Sequence, residues 1–356
     1  LREIFLFICL NNLYFLFFNR LHMKQITIKH IAADLNLSVS TVSRALSDYP
    51  NLSQATKDLV KSKAKELGYR PNIIARSLKC STSDQIGIIV PEIRHIFFAG
   101  AIHGIEEVAY KKGFTTIIAQ SNEEVEREEI NLNSMYLHRV SGIIASISQT
   151  STSSEHFKKL IDRGVNIVFF DRDFEDLNVP KVKIDDFAAA YKMTKFMLSR
   201  GFKKVIHFGG HLHLSICRLR RNGYEQAMTE AGLEKEILAY ESGMLESDGY
   251  LLAERMIKDG IKEGAVLAVN DPVAVGALRR FKEFNIDIPG KVGVAGFSNN
   301  PITEMITPRL TTIEQPFLEM GRTAAELLIE IIKDPSKKEN PKTVILDTKM
   351  IIRDTV

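Results

Sequence analysis

The 356-residue sequence has no tryptophan and only three cysteines, Cys9, Cys80 and Cys217. Three widely separated cysteines fit neither a disulfide framework nor a cysteine metal site, and a reducing cytoplasm is the simplest setting. The motifs H-E-x-x-H, G-x-S-x-G and the phosphate-binding P-loop are also missing. The sequence therefore lacks the common signatures of zinc proteases, α/β hydrolases and P-loop NTPases, and we expect no catalytic residue, metal or cofactor.

Long hydrophobic runs are scarce as well. The one candidate, residues 4–18, is about 15 residues long, whereas a membrane-spanning helix needs roughly 20. No small-residue cleavage site follows it, and Met23 stands directly before the first well-patterned segment. We interpret residues 1–22 as a non-native extension, a start-site artefact that precedes translation from Met23. A membrane-tethered regulator is the alternative.

Basic residues are concentrated near the start of the chain. Residues 23–82 contain ten Lys or Arg and four Asp or Glu, a net charge of +6, whereas residues 83–356 carry −4. The charge of the whole chain is only +3. A basic segment joined to a mildly acidic body suggests a polyanion-binding module attached to a separate domain.

This basic segment has the periodicity of short helices separated by tight turns. Apolar residues at Ile28, Ile31, Ala32 and Leu35 form one stripe, which predicts a helix over residues 28–35 that Thr27 can cap. Ser38 can cap a second helix, residues 39–46, whose outer face is small and polar. Two such helices and their turn predict a helix-turn-helix, in which the second helix enters the DNA major groove.

Further helices are predicted after this motif. A third helix spans roughly residues 56–67, with Ser53 as its cap, Leu59 facing the core and Lys57 facing solvent. Gly68 ends it and Pro71 prevents its continuation. Asn72 can cap one more short helix through Leu78, too short to be stable without a partner.

Three stretches of this segment strongly resemble the lac repressor family of transcription regulators, namely residues 27–32 (TIKHIA), 37–46 (LSVSTVSRAL) and 67–78 (LGYRPNIIARSL). The resemblance covers residues 26–356. It implies that Val39, Ser40 and Arg44 contact bases, and that residues 72–79 form a hinge helix whose Leu78 wedges into the minor groove. The predicted DNA-binding residues are Thr27, Ser38, Val39, Ser40, Thr41, Ser43, Arg44, Asn51, Tyr69, Asn72, Arg76, Ser77, Leu78 and Lys79.

From Gln85 onwards, strands and helices alternate. Strands are predicted at residues 86–90, 115–119, 142–145, 167–170, 182–184, 205–208, 266–269 and 292–295, with helices between most of them. This order predicts parallel sheets in two α/β halves. The resemblance implies a periplasmic-binding-protein-like body that binds a small effector between its lobes. The predicted fold is therefore an all-α helix-turn-helix head with a hinge helix, joined to a bilobed α/β body.

We predict the domain boundaries from these patterns. The DNA-binding domain with its hinge helix is residues 23–82, and the effector-binding and dimerisation domain is residues 83–356. Within the latter, the first lobe comprises about residues 83–184 and 313–337. The second lobe comprises about residues 185–312 and 338–356.

Polar and aromatic residues follow several predicted strands, where open α/β sheets bind their ligands. The predicted effector-binding residues are Phe97, Phe98, Asp171, Arg172, Arg220, Asn270, Asp271 and Ser298. Arg220 matches the effector-binding arginine of the family, and the mixture of carboxylate, guanidinium and aromatic groups suits a sugar. Asp271 could instead cap a helix, and Phe97 and Phe98 could instead pack in the core. Several relatives carry Asp at the position of Ser298, so no particular effector follows from the resemblance.

The predicted function is a sequence-specific transcriptional regulator, a repressor that binds double-stranded operator DNA. It is expected to act as a cytoplasmic homodimer on a palindromic site, without a membrane partner. A small effector controls it, a sugar or its phosphate being favoured over a nucleobase. A free-standing sugar-binding protein is the alternative, although it would lack the basic head. Two enzymatic sites are disfavoured. A metal site at His207, His211 and His213 would need a further ligand. A glycosidase would need the carboxylates of Asp185 and Asp186 to act together, but adjacent residues on a strand point to opposite faces.

Overall fold

The computed structural model describes residues 26–69 and 83–356, which fold as two compact units, one in each range. The predicted extension, residues 1–22, lies outside the described residues. So do the predicted hinge contacts Asn72, Arg76, Ser77, Leu78 and Lys79. Within the described ranges, no helix is both long and apolar enough to cross a membrane.

The first unit is built from short helices around a small apolar core. Its helices are α1 (Ile28–Asp34), α2 (Val39–Leu46) and α3 (Gln54–Glu66). The core consists of the buried side chains Ile31, Ala32, Val42, Ala45, Val60 and Ala64. In the turn between α1 and α2, Asn36 has a φ of 50°, a left-handed conformation that asparagine adopts more readily than most residues. The predicted helix-turn-helix is confirmed.

The predicted orientation of α3 is wrong in one respect. Leu59, which was expected in the core, is 52% exposed, and Lys57, which was expected in solvent, is only 9% exposed. The Nζ of Lys57 donates a 3.4 Å hydrogen bond to the carbonyl oxygen of Asp48 in the turn after α2. A lysine can bury its methylene stem in this way while its ammonium group keeps a polar partner, so periodicity alone mistook it for a surface residue.

The second unit is the α/β body. In its first part the elements are β1 (Gln85–Val90), α4 (Ile96–Lys111), β2 (Thr115–Gln120), α5 (Val125–Leu137), β3 (Gly142–Ala145), α6 (Glu155–Asp162), β4 (Ile167–Phe170) and β5 (Lys181–Ile184). The middle part contains α7 (Asp186–Ser199), β6 (Val205–Gly209), α8 (Ser215–Glu230), a 3₁₀ turn (Glu234–Glu236), β7 (Leu238–Glu241), α9 (Glu246–Lys258), β8 (Gly264–Ala268), α10 (Asp271–Glu283), β9 (Val292–Ala295) and α11 (Ile302–Met305). The last part contains β10 (Thr312–Glu314), α12 (Phe317–Lys333), a 3₁₀ turn (Pro335–Glu339), β11 (Thr343–Leu346) and β12 (Lys349–Ile351).

Two parallel sheets form the two lobes. The first lobe has a six-stranded sheet in the order β11-β5-β4-β3-β1-β2, and the second has a four-stranded sheet in the order β7-β6-β8-β9. Strands β10 and β12 pair antiparallel with each other where the chain passes between the lobes. In open parallel sheets of this kind, the loops at the carboxyl ends of the strands form the ligand site. The predicted fold class is confirmed.

One predicted lobe boundary differs from the structure. Residues 338–356 were assigned to the second lobe, but β11 pairs in parallel with β5 in the sheet of the first lobe, with Val344 opposite Val182. Helix α12 carries the chain back along the first lobe, so the next strand extends the open edge of that sheet. Only the segment from β12 onwards returns to the second lobe, where the backbone N–H of Val294 donates to the carbonyl oxygen of Thr355 at 2.8 Å.

Helix α12 is held against α4 by an unusually close approach. A Cβ atom on Gly104 of α4 would collide with the carbonyl oxygen of Leu318, and one on Gly321 of α12 would collide with that of Ala101. Glycine is therefore required at both positions for the two helices to pack at this distance. The contact fixes α12 beside the first sheet and so positions β10 and β11 at its two ends.

Candidate DNA-reading surface and effector cleft

The N-terminus of α2 is organised by a group of hydroxyl side chains. The Oγ of Ser38 accepts a 3.1 Å hydrogen bond from the backbone N–H of Thr41, which is the geometry of a helix cap. The same oxygen lies 2.8 Å from the hydroxyls of both Ser40 and Thr41. Three of the predicted DNA-binding residues are thus brought together at one exposed helix end, where small side chains allow close approach to base edges.

The exposed face of α2 also carries one apolar and one charged side chain. Val39 is 40% exposed, and Arg44 is exposed at the other end of the helix. The guanidinium of Arg44 lies 5.6 Å from the centre of the Tyr49 ring, a cation–π contact that limits its orientation. Tyr49 is 46% exposed and was not predicted as a functional residue. Because Tyr49 lies three residues after the end of α2, it is not part of the periodic pattern of that helix.

The remaining predicted head residues are more dispersed. The backbone N–H of Thr27 donates to Nδ1 of His30 at 3.0 Å, at the start of α1. Ser43 is half-buried on α2, and Asn51 is exposed in the loop before α3. Tyr69 packs against the apolar core, and burial raises the pKa of its phenol above the ordinary value. The structure therefore gives Tyr69 a packing role in the head.

Acidic partners reduce the effective positive charge of the head. The Nζ of Lys61 lies 2.5 Å from Asp48, and that of Lys63 lies 2.8 Å from Glu66. Lys29, Arg44 and Lys65 are exposed. Within residues 26–69, these exposed side chains are candidates for salt-dependent contacts with phosphates.

Arg220 is buried on α8 of the second lobe, next to the start of α7. Its Nε donates a 2.8 Å hydrogen bond to Oδ1 of Asp186, and a terminal nitrogen donates to the carbonyl oxygen of Val269 at 2.5 Å. The guanidinium also lies 3.7 Å from the centre of the Phe297 ring. Burial raises the pKa of Asp186 to about 6 despite its charged partner. Asp186 therefore belongs to this site, although it was not among the predicted effector-binding residues.

Asp171 and Arg172 follow β4 and face the same region. Arg172 donates to both carboxylate oxygens of Glu123 at 2.8 and 3.0 Å, and its guanidinium lies 5.6 Å from the Phe98 ring. The Oδ2 of Asp171 is 3.9 Å from Nε of Arg172. Burial raises the pKa of Asp171 above its ordinary value, an effect that the charges of Arg172 and Arg220 oppose. The three predicted residues Asp171, Arg172 and Arg220 are thus brought together electrostatically.

Asn270 and Asp271 are committed to the protein's own hydrogen bonds. The Oδ1 of Asn270 accepts from the backbone N–H of Val273, so Asn270, and not Asp271, caps α10. The carboxylate of Asp271 accepts from Thr312 Oγ1 at 2.6 Å and from the backbone N–H of Asn300 at 2.7 Å. Burial raises the pKa of Asp271 to about 6. These contacts tie α10 to the loop after β9 and to β10.

The other predicted effector residues are also buried. Phe97 and Phe98 lie at the start of α4 with ring centres 5.1 Å apart, and each is 3% exposed. Ser298 donates to Oε1 of Gln315 at 2.8 Å. His95 packs against both phenylalanines, and burial lowers its pKa to about 4. The phenylalanines form the wall of the first lobe beside Arg172.

Side chains that were not predicted as effector-binding join loops of the two lobes. Ser215 at the start of α8 donates to Oδ1 of Asp173 at 2.9 Å, and Lys183 lies 2.8 Å from the same oxygen. Nε2 of His213, after β6, lies 2.7 Å from the carbonyl oxygen of Gln149, after β3. Loops at the strand ends of both sheets therefore meet. Their pairing depends on tertiary structure, so no local sequence signal could have identified it.

Non-glycine residues with positive φ occur in the loops after β2, β4 and β9, and also elsewhere in the described residues, at Asn36, Asp48, Arg139 and Asn285. Asn122 and Glu123, Asp171, and Ser298 and Asn299 all have positive φ values between 55° and 121° without being glycine. Such conformations cost free energy and persist where the surrounding structure holds a functional loop in one geometry. The strain supports a binding role for the loops that follow β2, β4 and β9.

The histidines at positions 207, 211 and 213 do not converge on a metal site. Nδ1 of His207 lies 2.9 Å from the carbonyl oxygen of Leu267, and burial lowers the pKa of this histidine to about 4. His211 and His213 stack with ring centres 5.7 Å apart. Across residues 26–69 and 83–356, no group of three or more His, Cys, Asp or Glu side chains could hold a metal ion.

Comparison with known proteins matches the head and the later part of the body to two separate family models. A family model described as bacterial regulatory proteins, lacI family, matches residues 27–72. A second model, described as a periplasmic binding protein-like domain, matches residues 194–356. An HTH-type transcriptional repressor, PurR of Vibrio atlanticus, is 31% identical over 93% of this chain and 98% of its own length.

Solved structures show the same architecture. The lac repressor dimer bound to operator and the anti-inducer ONPF matches with a TM-score of 0.81 at 21% identity, over 93% of this chain and 99% of that one. A LacI family regulator from Enterococcus faecium, solved with bound ribose, matches with a TM-score of 0.69 at 26% identity, over 76% of this chain and 98% of that one. The identity of the first match supports a shared fold only.

Proposed function

The chain belongs to the lacI family of DNA-binding transcriptional repressors, and from this membership we propose that it binds a palindromic operator as a homodimer under the control of a small effector. It acts in the cytoplasm, where operator DNA is found. A dimer is needed because one head reads one half-site, and two-fold symmetry in the protein corresponds to a palindrome in the DNA.

In the proposed complex, α2 lies in the major groove. Ser40 and Thr41 approach base edges at its N-terminus, Val39 contacts a thymine methyl group, and Arg44 reaches a base or a phosphate. Tyr49 keeps the guanidinium of Arg44 in place at 5.6 Å. Residues 72–79 form the hinge helix that bends the operator through Leu78, an assignment that rests on the family resemblance.

The proposed effector site is the cleft between the lobes, lined by Asp171, Arg172, Arg220 and the phenylalanines at the start of α4. Effector binding changes how the lobes meet, and thereby favours either the DNA-competent or the DNA-incompetent state. A sugar is the favoured effector, since carboxylate and guanidinium groups bind hydroxyls and aromatic faces bind C–H surfaces.

The observation that supports this proposal most strongly is the buried Arg220, which links the second lobe to the crossover residue Asp186 at 2.8 Å. A ligand that engages Arg220 would therefore act on the start of α7, where the chain passes from the first lobe to the second.

Selection of DNA from a random duplex library tests the dimeric, palindromic mode of binding. We expect the full chain to enrich sequences with two inverted half-sites at a fixed spacing. The Arg44→Ala variant should lose this enrichment, and Arg163→Ala, which removes a charge from the body, should retain it. Enrichment of single, unpaired half-sites would contradict the proposal.

A further inference from the structure

Eight ion-paired side chains of the proposed effector cleft, four cations and four carboxylates, are buried or half-buried. The four cations are Arg172, Lys181, Lys183 and Arg220, and the four carboxylates are Glu123, Asp171, Asp173 and Asp186. These groups come from both lobes and from the crossover between them. The charges of these ion-paired groups therefore balance before any effector binds.

Each cation is already close to a carboxylate of the protein. Arg172 lies 2.8 Å from Glu123, and Arg220 lies 2.8 Å from Asp186. Both lysines form ion pairs with the carboxylate of Asp173, Lys183 at 2.8 Å and Lys181 at 3.0 Å. An arriving anion would have to break one of these pairs and leave a buried carboxylate without its partner, which is strongly unfavourable.

Neutral hydrogen-bonding atoms in the same loops have capacity to spare. The hydroxyls of Ser121 and Ser146, Oε1 of Gln149 and Nδ1 of His95 are buried and make no hydrogen bond within the described residues. Nε of Arg172 and Oδ2 of Asp173 make none either, but both belong to ion-paired side chains. Ser121 and Ser146 directly follow β2 and β3, at the carboxyl edge of the first sheet. Buried polar atoms without partners are unfavourable, so these atoms are suited to a ligand that both donates and accepts hydrogen bonds.

We infer that the cleft selects an uncharged, hydroxyl-bearing effector, a neutral sugar or polyol, and discriminates against its phosphate and carboxylate derivatives. This inference rests on the proposed effector function and narrows it. Hydroxyl groups donate to the Asp171 carboxylate and accept from serine hydroxyls without disturbing an ion pair. A phosphate would add charge where every cation is already neutralised.

Anion-exchange fractionation of a metabolite extract tests the inference while the effector itself is still unidentified. The unretained neutral fraction and the retained anionic fraction are each added to the full-chain protein on labelled operator DNA, and anisotropy and thermal stability are measured. We expect only the neutral fraction to change operator binding and stability. An effect of the anionic fraction alone overturns the inference and leaves effector control intact, whereas no effect of either fraction overturns both.

Defined sugar pairs extend the test to known compounds. Ribose is compared with ribose 5-phosphate, and glucose with glucose 6-phosphate, by calorimetric titration of the wild-type protein. For any pair of which at least one compound binds the protein, the phosphate ester should bind at least about 100-fold more weakly than the sugar. Tighter binding of a phosphate ester contradicts the inference.

Glu123→Gln tests the electrostatic cause directly, because it keeps the shape of the side chain and removes the charge that neutralises Arg172. We expect this variant to gain at least about tenfold in affinity for glucose 6-phosphate. Glu175→Gln is the matched control, since it removes the partner of Arg218, which is solvent-accessible, and should gain nothing. A folded Glu123→Gln protein with no gain contradicts the inference, and the wild-type measurements remain decisive if that variant does not fold.

Discussion

Nε of Arg220 lies 2.8 Å from Oδ1 of Asp186, and the two side chains are only 4% and 1% exposed. Asp186 begins α7 at the point where the chain first enters the second lobe, and Arg220 lies on α8 of that lobe. The pair therefore connects the effector cleft to a crossover between the lobes. A ligand that engages Arg220 acts directly on the geometry of that crossover.

Arg220→Ala should abolish the response to effector while leaving the DNA-binding head intact. It should also lower the free energy of unfolding by about 3–5 kcal/mol, because Asp186 is left as an unpaired buried carboxylate. Urea unfolding and operator anisotropy with and without effector measure the two effects. Arg218→Ala, two residues earlier on the same helix and partly exposed, should change stability by less than about 1 kcal/mol. A normal effector response in Arg220→Ala would remove Arg220 from the site.

Asp271 should make a measurable contribution to the pH dependence of stability. Burial raises its pKa from 3.8 to about 6, so the folded protein binds the proton more tightly than the unfolded chain. The resulting stabilisation is complete below pH 3.8 and is lost as the pH rises to about 6. In Asp271→Asn, the free energy of unfolding should therefore depend less on pH over this range, by up to about 3 kcal/mol.

Urea unfolding of the wild type and Asp271→Asn at a series of pH values between about 4 and 7 measures this difference. Asp354→Asn serves as a control that should leave the pH profile in this window unchanged, because a hydrogen bond from Arg309 lowers the pKa of Asp354 below 3.8. Its contribution is lost as the pH falls. Parallel pH profiles for the wild type and Asp271→Asn would show that the carboxyl does not titrate in this window.

The caps of α2 and α3 allow stability and DNA recognition to be separated. Ser38 and Ser53 each accept a hydrogen bond from a backbone N–H three residues later, at 3.1 and 3.3 Å. Replacing either with Ala should cost about 1 kcal/mol of stability in the head. Only Ser38→Ala should also weaken operator binding strongly, because it disrupts the hydroxyl group at the reading end of α2. Equal losses of operator affinity in both variants would contradict this role.

Much of the architecture could be predicted from the sequence, because local chemistry determines it. Ser38 and Ser53 cap the helices that their positions indicated, and Gly113, Gly164 and Gly201 have the positive φ values expected where helices end. The strands at residues 142–145, 167–170 and 292–295 were predicted with the bounds that the structure shows. Continuous apolar runs between turn residues are sufficient for such buried strands.

The errors and omissions have a common physical cause in long-range packing. β11 joins the first lobe because α12 returns the chain there, and Lys57 is buried because the turn at Asp48 offers its ammonium a partner. Similarly, the contacts of Asp186, Glu123 and Asp173 join residues between 10 and 49 positions apart. No local periodicity encodes such contacts, so the sequence indicated which strand ends matter but not which side chains pair.

Leu78→Ala tests the hinge assignment, which depends on resemblance to the family. Insertion of Leu78 between base pairs costs free energy of unstacking, which extra contacts with the bent operator should recover. Its removal should weaken operator binding at least about tenfold and reduce DNA bending, while effector affinity stays at the wild-type value. Anisotropy, a circular-permutation bending assay and calorimetry measure these quantities. Unchanged operator affinity and bending would exclude the wedge.

The central claim is that one small molecule, bound in the cleft of the body, changes the affinity of the head for operator DNA. Fluorescence anisotropy of a labelled operator selected from the random library, titrated with the full chain in the presence and absence of the active neutral fraction, tests it most directly. We predict a change in the apparent Kd of at least about fivefold, corresponding to a coupling free energy of about 1 kcal/mol or more, and no change with Arg220→Ala. An operator Kd that stays the same with this fraction, although it binds and stabilises the protein, would contradict the account.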